Sequence, residues 1–503
     1  MKRSKSLVRA ISLLCRPLLL ALLVMALGAA VANAKTIRLL SYNIDSADQG
    51  SDNNITGPTH SLTTVIQGIA LHHLGTNVQP VDVMGLEELS STTLSNLVGQ
   101  LTNTYGAGSY AYDTTADPTT GGGTDGLVYK TSTIQLISAR ALKTGQNVLL
   151  QSNGVYTNAY FFSATYTSNG ITRAPLVYQL RPVGFSAAND FYLYVSHARA
   201  ADNSVGDARY AEAQSVRSDA KYNLPAGAHI IYSGDWNLSK GSGENAYKCL
   251  TGQTTSDGIN WSDSSAVWSN TNQTQACDPM SKTIPPTTAT WVNGASDNAT
   301  WLYGDSTSSP TTQNTSRFDI QLMNRPMFAV YNSSGGVQIA PDTADPYDSS
   351  NFPASQYPYA FETFGNNGSL PRLTATTNAA NHALDDLTNT VPNAATVYAS
   401  IQLIGSGANF TGSDHYPNIA DYNIVVLPPA TPVLTSLGFT NGNYKLKLAS
   451  TTNTTFGIQG STNLLNWINL GSGTTDTNGV FFFQDTNPAT IRFRFYRAYW
   501  PYP

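Results

Sequence analysis

The sequence predicts an α/β domain followed by a small all-β module. Two observations point there. Strand-like and helical runs alternate through the first half of the chain. Near Leu427 that pattern gives way to a proline-rich link and then to period-two alternation. At 503 residues the chain is too long for one small domain. Hydrophobic residues make up 41%, enough for a sizeable core, while charged residues are only 12%, about half the usual share. This balance excludes a coiled coil, a charge-driven disordered chain and a basic nucleic-acid coat protein.

The N-terminus reads as an export signal. Lys2, Arg3, Lys5, Arg9 and Arg16 supply positive charge around an apolar run from Leu18 to Val31. Ala32-Asn33-Ala34 is an A-x-A site, so cleavage is expected before Lys35. The run is short for a membrane span, and no later stretch reads as one, so the mature chain is expected to have no transmembrane segment. Cleavage takes 27 basic against 32 acidic residues to 22 against 32, and the net charge from −5 to −10. Cys249 and Cys277 then remain in an oxidising compartment. A disulfide between them is expected, with two separate buried thiols as the alternative.

The elements follow in order. Ile37 to Tyr42 and Val81 to Leu86 read as strands. Leu94, Leu97, Val98 and Leu101 repeat at i, i+3, i+4, i+7 and predict an amphipathic helix. Phe191 to Val195 predicts a strand, Asp207 to Asn223 a helix and Ala228 to Tyr232 a strand. Residues 251–316 and 331–398, rich in Thr, Asn, Asp and Pro, predict long surface loops. Residues 35–427 thus form one domain and 428–432 a linker. Residues 433–503 form the β module, with a hairpin at Asn441-Gly442 and strands at Tyr444 to Leu448, Val480 to Phe483 and Ile491 to Tyr496.

Polar residues stand where the strands end. Asn43 follows the first, and Glu87 and Glu88 end the second. His197 closes the run from Phe191, and Asp235 and Asn237 close the next. Asp319 lies in Arg317-Phe318-Asp319-Ile320, and Asp414 and His415 in Gly412-Ser413-Asp414-His415-Tyr416-Pro417. In α/β sheets, sites form where strand ends converge. Carboxylates, amides and imidazoles together are the parts phosphoryl chemistry needs: oxygen ligands for Mg²⁺, donors for phosphate, and a carboxylate–His pair to move protons.

These stretches, with Leu40-Ser41-Tyr42-Asn43, Asp82 to Leu89, Gly126 to Lys130 and Gly234-Asp235-Trp236-Asn237, resemble the endonuclease/exonuclease/phosphatase (DNase I-like) superfamily in content and order from Lys35 to about Val426. The resemblance implies a four-layer α/β sandwich, two packed mixed sheets flanked by helices. It implies Glu88 as the main Mg²⁺ ligand with Asn43 beside it and Asp414 near a metal position; Mn²⁺ or Ca²⁺ are alternatives. Asp235 would orient or activate the attacking water and Asn237 bind phosphate. His415 would contact the phosphate or carry a proton, with Asp319 orienting its ring. His197 would stabilise the phosphate or protonate the leaving oxygen, and Arg173 resembles a phosphate-contacting arginine. The superfamily usually has Gln where this chain has Glu87, which places an extra carboxyl beside the metal position.

The expected activity is that of a secreted, monomeric, Mg²⁺-dependent phosphodiesterase acting by in-line attack of water, foremost a nuclease. The alternatives are a sphingomyelinase-like lipid phosphodiesterase and, in a different class, a non-catalytic binding protein on a hydrolase fold. A net charge of −10 argues against tight DNA binding through global charge and leaves that task to a local cleft.

Overall fold

The computed structural model describes residues 34–45, 52–57, 61–74, 77–117, 119, 122–142, 147–152, 155–160, 173–199, 208–238, 243–265, 268, 273–277, 318–324, 326–327, 360–365, 384–402, 415–425, 430–452, 454–486 and 494–500. Residues 1–33 of the expected signal segment, Asp414 and residues 428–429 of the linker lie outside these residues.

Two six-stranded sheets pack face to face. The strands of the first half are β1 (Ala34–Asn43), β2 (Val83–Leu89), β3 (Tyr110–Tyr112), β4 (Thr124–Lys130), β5 (Ile134–Ala141), β6 (Asn147–Ser152), β7 (Val155–Tyr160), β8 (Leu176–Pro182), β9 (Phe191–Val195) and β10 (His229–Asp235). Later come β11 (Ala276–Cys277), β12 (Asp319–Asn324), β13 (Ala360–Thr363) and β14 (Asn418–Val425). One sheet runs β13-β14-β1-β2-β4-β3 and the other β11-β12-β10-β9-β8-β5; β6 and β7 form a separate hairpin. Both large sheets are mixed: β1 pairs parallel with β2 and antiparallel with β14, and β10 pairs parallel with β9 and antiparallel with β12.

The layers follow from the strand sequences. In β1, Ile37 and Leu39 face the second sheet, while Leu40 and Tyr42 face helices. A strand buried on both faces reads as a continuous apolar run, which is why Ile37 to Tyr42 was legible. Leu193, Val195, Ile231 and Met323 meet the first sheet from across the interior. Gly85 permits the close approach, because a Cβ there would lie 2.9 Å from a Val195 methyl. Helices cover the outer faces. On the first sheet lie α2 (Ser61–Leu71), which follows the four-residue α1 (Asn53–Thr56), and α3 (Thr93–Tyr105). On the second sheet lie α4 (Ala208–Asn223) and α5 (Asn245–Leu250), and α6 (Ala394–Gln402) returns to the first. The architecture is the four-layer α/β sandwich.

Arg38 ties these layers together. It is fully buried, pairs with Asp421 through Nε at 2.8 Å and Nη2 at 2.9 Å, and donates to the carbonyls of Ile69, His72 and Asn77. A buried cation is tolerable only when its donors are satisfied this fully.

Three expectations are corrected. Residues 251–316 and 331–398 are not merely surface loops: Trp261 and Trp268 are buried against each other, β13 extends the first sheet, and α6 begins at Ala394. Burial of those rings and of Val397 and Ile401 outweighs the polar composition around them. The expected Cys249–Cys277 bridge is not formed. Cys249 is a free thiol in the core under α4, and burial pushes its pKa up, as suits an inert packed cysteine. The last strand of the β module, expected from Ile491 to Tyr496, is described as Phe495–Tyr499 with Arg494 outside it, and residues 487–493 lie outside the described residues.

That module holds β15 (Val433–Thr440), β16 (Asn443–Ala449), β17 (Thr455–Ser461), β18 (Ile468–Thr474), β19 (Val480–Asp485) and β20 (Phe495–Tyr499). They form two sheets, β15-β16-β19 and β18-β17-β20, around Leu446, Leu448, Phe456 and Ile458. Asn441 and Gly442 join β15 to β16 with φ of 51° and 79°, the left-handed pair a two-residue hairpin needs.

Among the described residues no helix is long and apolar enough to cross a membrane.

Candidate active site

The site lies where both large sheets end. Parallel pairing of β1 with β2 sets Asn43 beside Glu87, and antiparallel pairing of β10 with β12 sets Asp235 opposite Asp319. Since alternate residues share a face, Asn43, Asp235 and Asp319 continue the interior rows begun by Leu39, Ile231 and Met323. The interior is thus apolar until its last layer, which is polar.

Six sequence-predicted residues meet there. His415 Nδ1 lies 2.8 Å from Asp319 Oδ2, and its Nε2 lies 3.6 Å from Asp235 Oδ2. Asn43 Nδ2 donates to Asp235 at 3.2 Å and stands 3.5 Å from His415 Nε2. His197 Nε2 is 3.2 Å from Glu88 Oε1 and 3.6 Å from Asp235 Oδ2. Asp319 therefore fixes one ring nitrogen of His415 and turns the other toward Asp235. Arg173 stands against His197, its Nη1 contacting His197 Nε2 and donating to Ala198 O at 3.2 Å.

Three strand-end residues adopt left-handed backbone: Asp45 at φ 50°, Glu88 at 58° and Asn237 at 51°. Such conformations cost non-glycine residues roughly 1–3 kcal/mol and cluster at functional sites. At Glu88 the cause is visible. The β2–β4 register slips between Leu86 and Leu89, and this bulge turns Glu88 toward His197. Its neighbour Glu87 remains in the interior row, fully buried, with neither carboxyl oxygen hydrogen-bonded among the described residues. Asn237 is held on two sides, its amide donating to Ala198 O at 2.7 Å and its backbone N–H to Asp235 Oδ1 at 2.8 Å. One N–H of the Asn237 amide thus goes to a backbone partner.

Electrostatics mark the cluster. Burial, then the Asp45 charge, pushes the Glu88 carboxyl up to about 9, while His415 and Asn43 pull the other way. Burial and Asp319 push Asp235 up to about 6, against the pull of His415. Glu87 is raised well above the ordinary range by burial and by Asp125, Asp319 and Asp235. This favours the protonated form of the extra carboxyl that the sequence places beside the metal position. Burial, then the Arg173 cation, holds His197 well below the usual imidazole value, so it enters any reaction as a neutral base or hydrogen-bond partner and Arg173 brings the positive charge. Crowded carboxyls with raised pKa values are what a cation site looks like before the cation is counted. Ligand atoms of Asp235, Asp319 and His415 lie within 4.8 Å of one another. Oxygen donors on Glu88 and Asn43 flank them, so the donor set fits a hard divalent ion.

Sequence reading missed Asp125. It is buried, accepts the His197 backbone N–H at 3.2 Å, and so sets the turn after β9. Its signal was its place immediately before Gly126, at the start of β4. Gly234 carries a further constraint. Its φ is 119°, and a Cβ there would lie 2.1 Å from Ser196 O. Gly234→Ala is expected to push β10 off β9 and displace Asp235. Activity should fall by more than about tenfold in a protein that still shows native far-UV dichroism, a distortion on the scale that misplaced catalytic groups produce; unchanged turnover would refute this role.

A scan against family models finds no match, and a search of curated proteins finds none. Among solved structures the chain matches a humanized TDP2 of D. rerio (14% identity, 77% of this chain and 99% of that one, TM-score 0.37). It also matches an endonuclease/exonuclease/phosphatase from Bacteroides vulgatus (12%, 78% and 99%, 0.37) and the human Nocturnin catalytic domain with bound sulfate (12%, 78% and 96%, 0.36). The chain is similar to endonuclease/exonuclease/phosphatase proteins. At this level of identity the reading of the site comes from its own geometry.

Proposed function

We propose that the chain is an exported, divalent-metal-dependent phosphodiesterase, with nucleic acid as its first substrate class. The observation that carries this reading is the His415–Asp319 pair at 2.8 Å, aimed at Asp235 beside Glu88 and Asn43. Glu88 and Asn43 would hold the ion, proposed as Mg²⁺, with the Asp235–Asp319–His415 group as a second place for it. Bound there, Mg²⁺ would neutralise charge developing on the phosphoryl oxygens.

The chain's own residues do the rest. Asp235, held near neutrality and touched by Asn43 and the Asn237 N–H, is placed to orient a water and take its proton. Arg173 faces the phosphate from the His197 side, and neutral His197 hydrogen-bonds it. His415, locked by Asp319, stabilises the equatorial oxygens or passes on a proton. Water attacks phosphorus as Asp235 takes its proton, the P–O bond opposite breaks, and the leaving oxygen takes a proton passed on by His415.

A hydrolysis panel with Mg²⁺ tests the substrate: plasmid DNA, single-stranded RNA and sphingomyelin. Cleavage of either nucleic acid is expected. Turnover of sphingomyelin alone would move the chain to lipids, and no turnover of any of the three would return it to a binding role.

A further inference from the structure

The β module differs from the rest of the chain in charge. Residues 433–503 carry five basic side chains (Lys445, Lys447, Arg492, Arg494, Arg497) and two acidic ones, whereas residues 35–432 carry 17 and 30. Both acids are engaged locally. Asp485 is buried against Arg494 and the Tyr496 hydroxyl, and Asp476 accepts the backbone N–H groups of Asn478 and Val480 in its own turn.

One face combines cation and aromatics. Along β20, Tyr496 and Ala498 pack into the module core, so Phe495, Arg497 and Tyr499 line the opposite face. Arg497 is held flat: Nε and Nη2 donate to Gln459 Oε1 at 2.9 and 2.8 Å, and its guanidinium sits 4.2 Å from the Trp467 ring centroid. The indole is fixed in turn, donating to Leu464 O at 3.2 Å. Tyr499 lies across Gly457, where an added Cβ would come 2.1 Å from its ring. A pre-set guanidinium between aromatic platforms suits stacked bases joined by phosphates, and it spares the ordering cost of binding.

We propose that this face, built on Phe495, Arg497, Tyr499 and Trp467, binds single-stranded nucleic acid; the proposal rests on the substrate reading above. Charge favours that occupant over a neutral polysaccharide, which would use the rings without needing the fixed cation. It also answers the substrate problem. A catalytic part with 13 more acids than bases repels a polyanion, and the module supplies local attraction.

The test is fluorescence anisotropy of a labelled oligothymidylate with the full chain in EDTA. Binding that weakens steeply with salt is expected, and Arg497→Ala should weaken it at least about tenfold. Phe495→Ala, at a ring already 43% exposed, should weaken it as well and keeps the measurement open if the arginine variant unfolds. Hydrolysis of bis-p-nitrophenyl phosphate should stay within about twofold in both, since that substrate is too small to span the two surfaces. Unchanged oligonucleotide affinity in both variants, or binding of a neutral glucan in its place, would overturn the proposal. A chain that hydrolyses nothing yet loses oligonucleotide affinity in these variants would sink the catalytic reading and leave this one standing.

Discussion

His415→Ala should lower phosphodiester turnover by about 10²- to 10⁴-fold, the range for a positioned acid–base or charge-stabilising group. The substitution removes a side chain that stands against Asp319, Asp235 and Asn43 at once. It also takes from the buried Asp319 carboxyl its 2.8 Å contact with His415, so a modest fall in melting temperature should accompany the loss. Asp319→Asn separates the two effects. The amide keeps the shape but can turn its N–H toward His415 Nδ1, which favours the other tautomer. Turnover should then fall nearly as far with less loss of stability. Steady-state kinetics beside thermal melts check this; wild-type turnover in either variant would remove the pair from the mechanism.

A divalent cation is expected to raise the melting temperature, and to raise it more at pH 8 than at pH 5. The sign follows from the raised carboxyls. Glu88 titrates near 9 in the folded chain against an ordinary 4.5, and Asp235 near 6 against 3.8. Between those values the folded state holds protons that the unfolded chain has released. The metal-free protein therefore loses stability as pH rises through this window. A bound cation favours the ionised carboxylates, so its stabilising effect grows as the protons it displaces become fewer. At a concentration 100 times its dissociation constant it would contribute about 2.7 kcal/mol. Melts with EDTA and with Mg²⁺ at both pH values measure this, and Glu88→Gln should flatten the metal-free slope. An equal metal shift at both pH values would place the ion elsewhere.

How far the sequence carries is clearest in particular residues. Asn43, Glu88, His197 and Asp235 were legible because each follows a buried apolar run, and buried strands announce their ends. The pairing of Asp319 with His415, 96 positions apart, was accessible only through family resemblance; no local pattern encodes it. Glu87 and Glu88 are adjacent in sequence, and their opposite fates come from a bulge that breaks the alternation. The helix Ser61–Leu71 went unread although Leu62, Val65, Ile66 and Ile69 carry the spacing of a helix buried on one face. The β13 strand and α6 were hidden by polar composition, and only tertiary packing reveals them. The disulfide expectation failed because cysteine arithmetic describes the compartment and says nothing of where two side chains point.

The most direct measurement is hydrolysis of bis-p-nitrophenyl phosphate by the full chain with Mg²⁺, after EDTA, and in Glu88→Gln. Turnover that vanishes in EDTA, returns with added metal and falls by at least about 10²-fold in Glu88→Gln is the predicted result. Turnover indifferent to EDTA, or equal in the variant, would contradict a metal-dependent site at these strand ends.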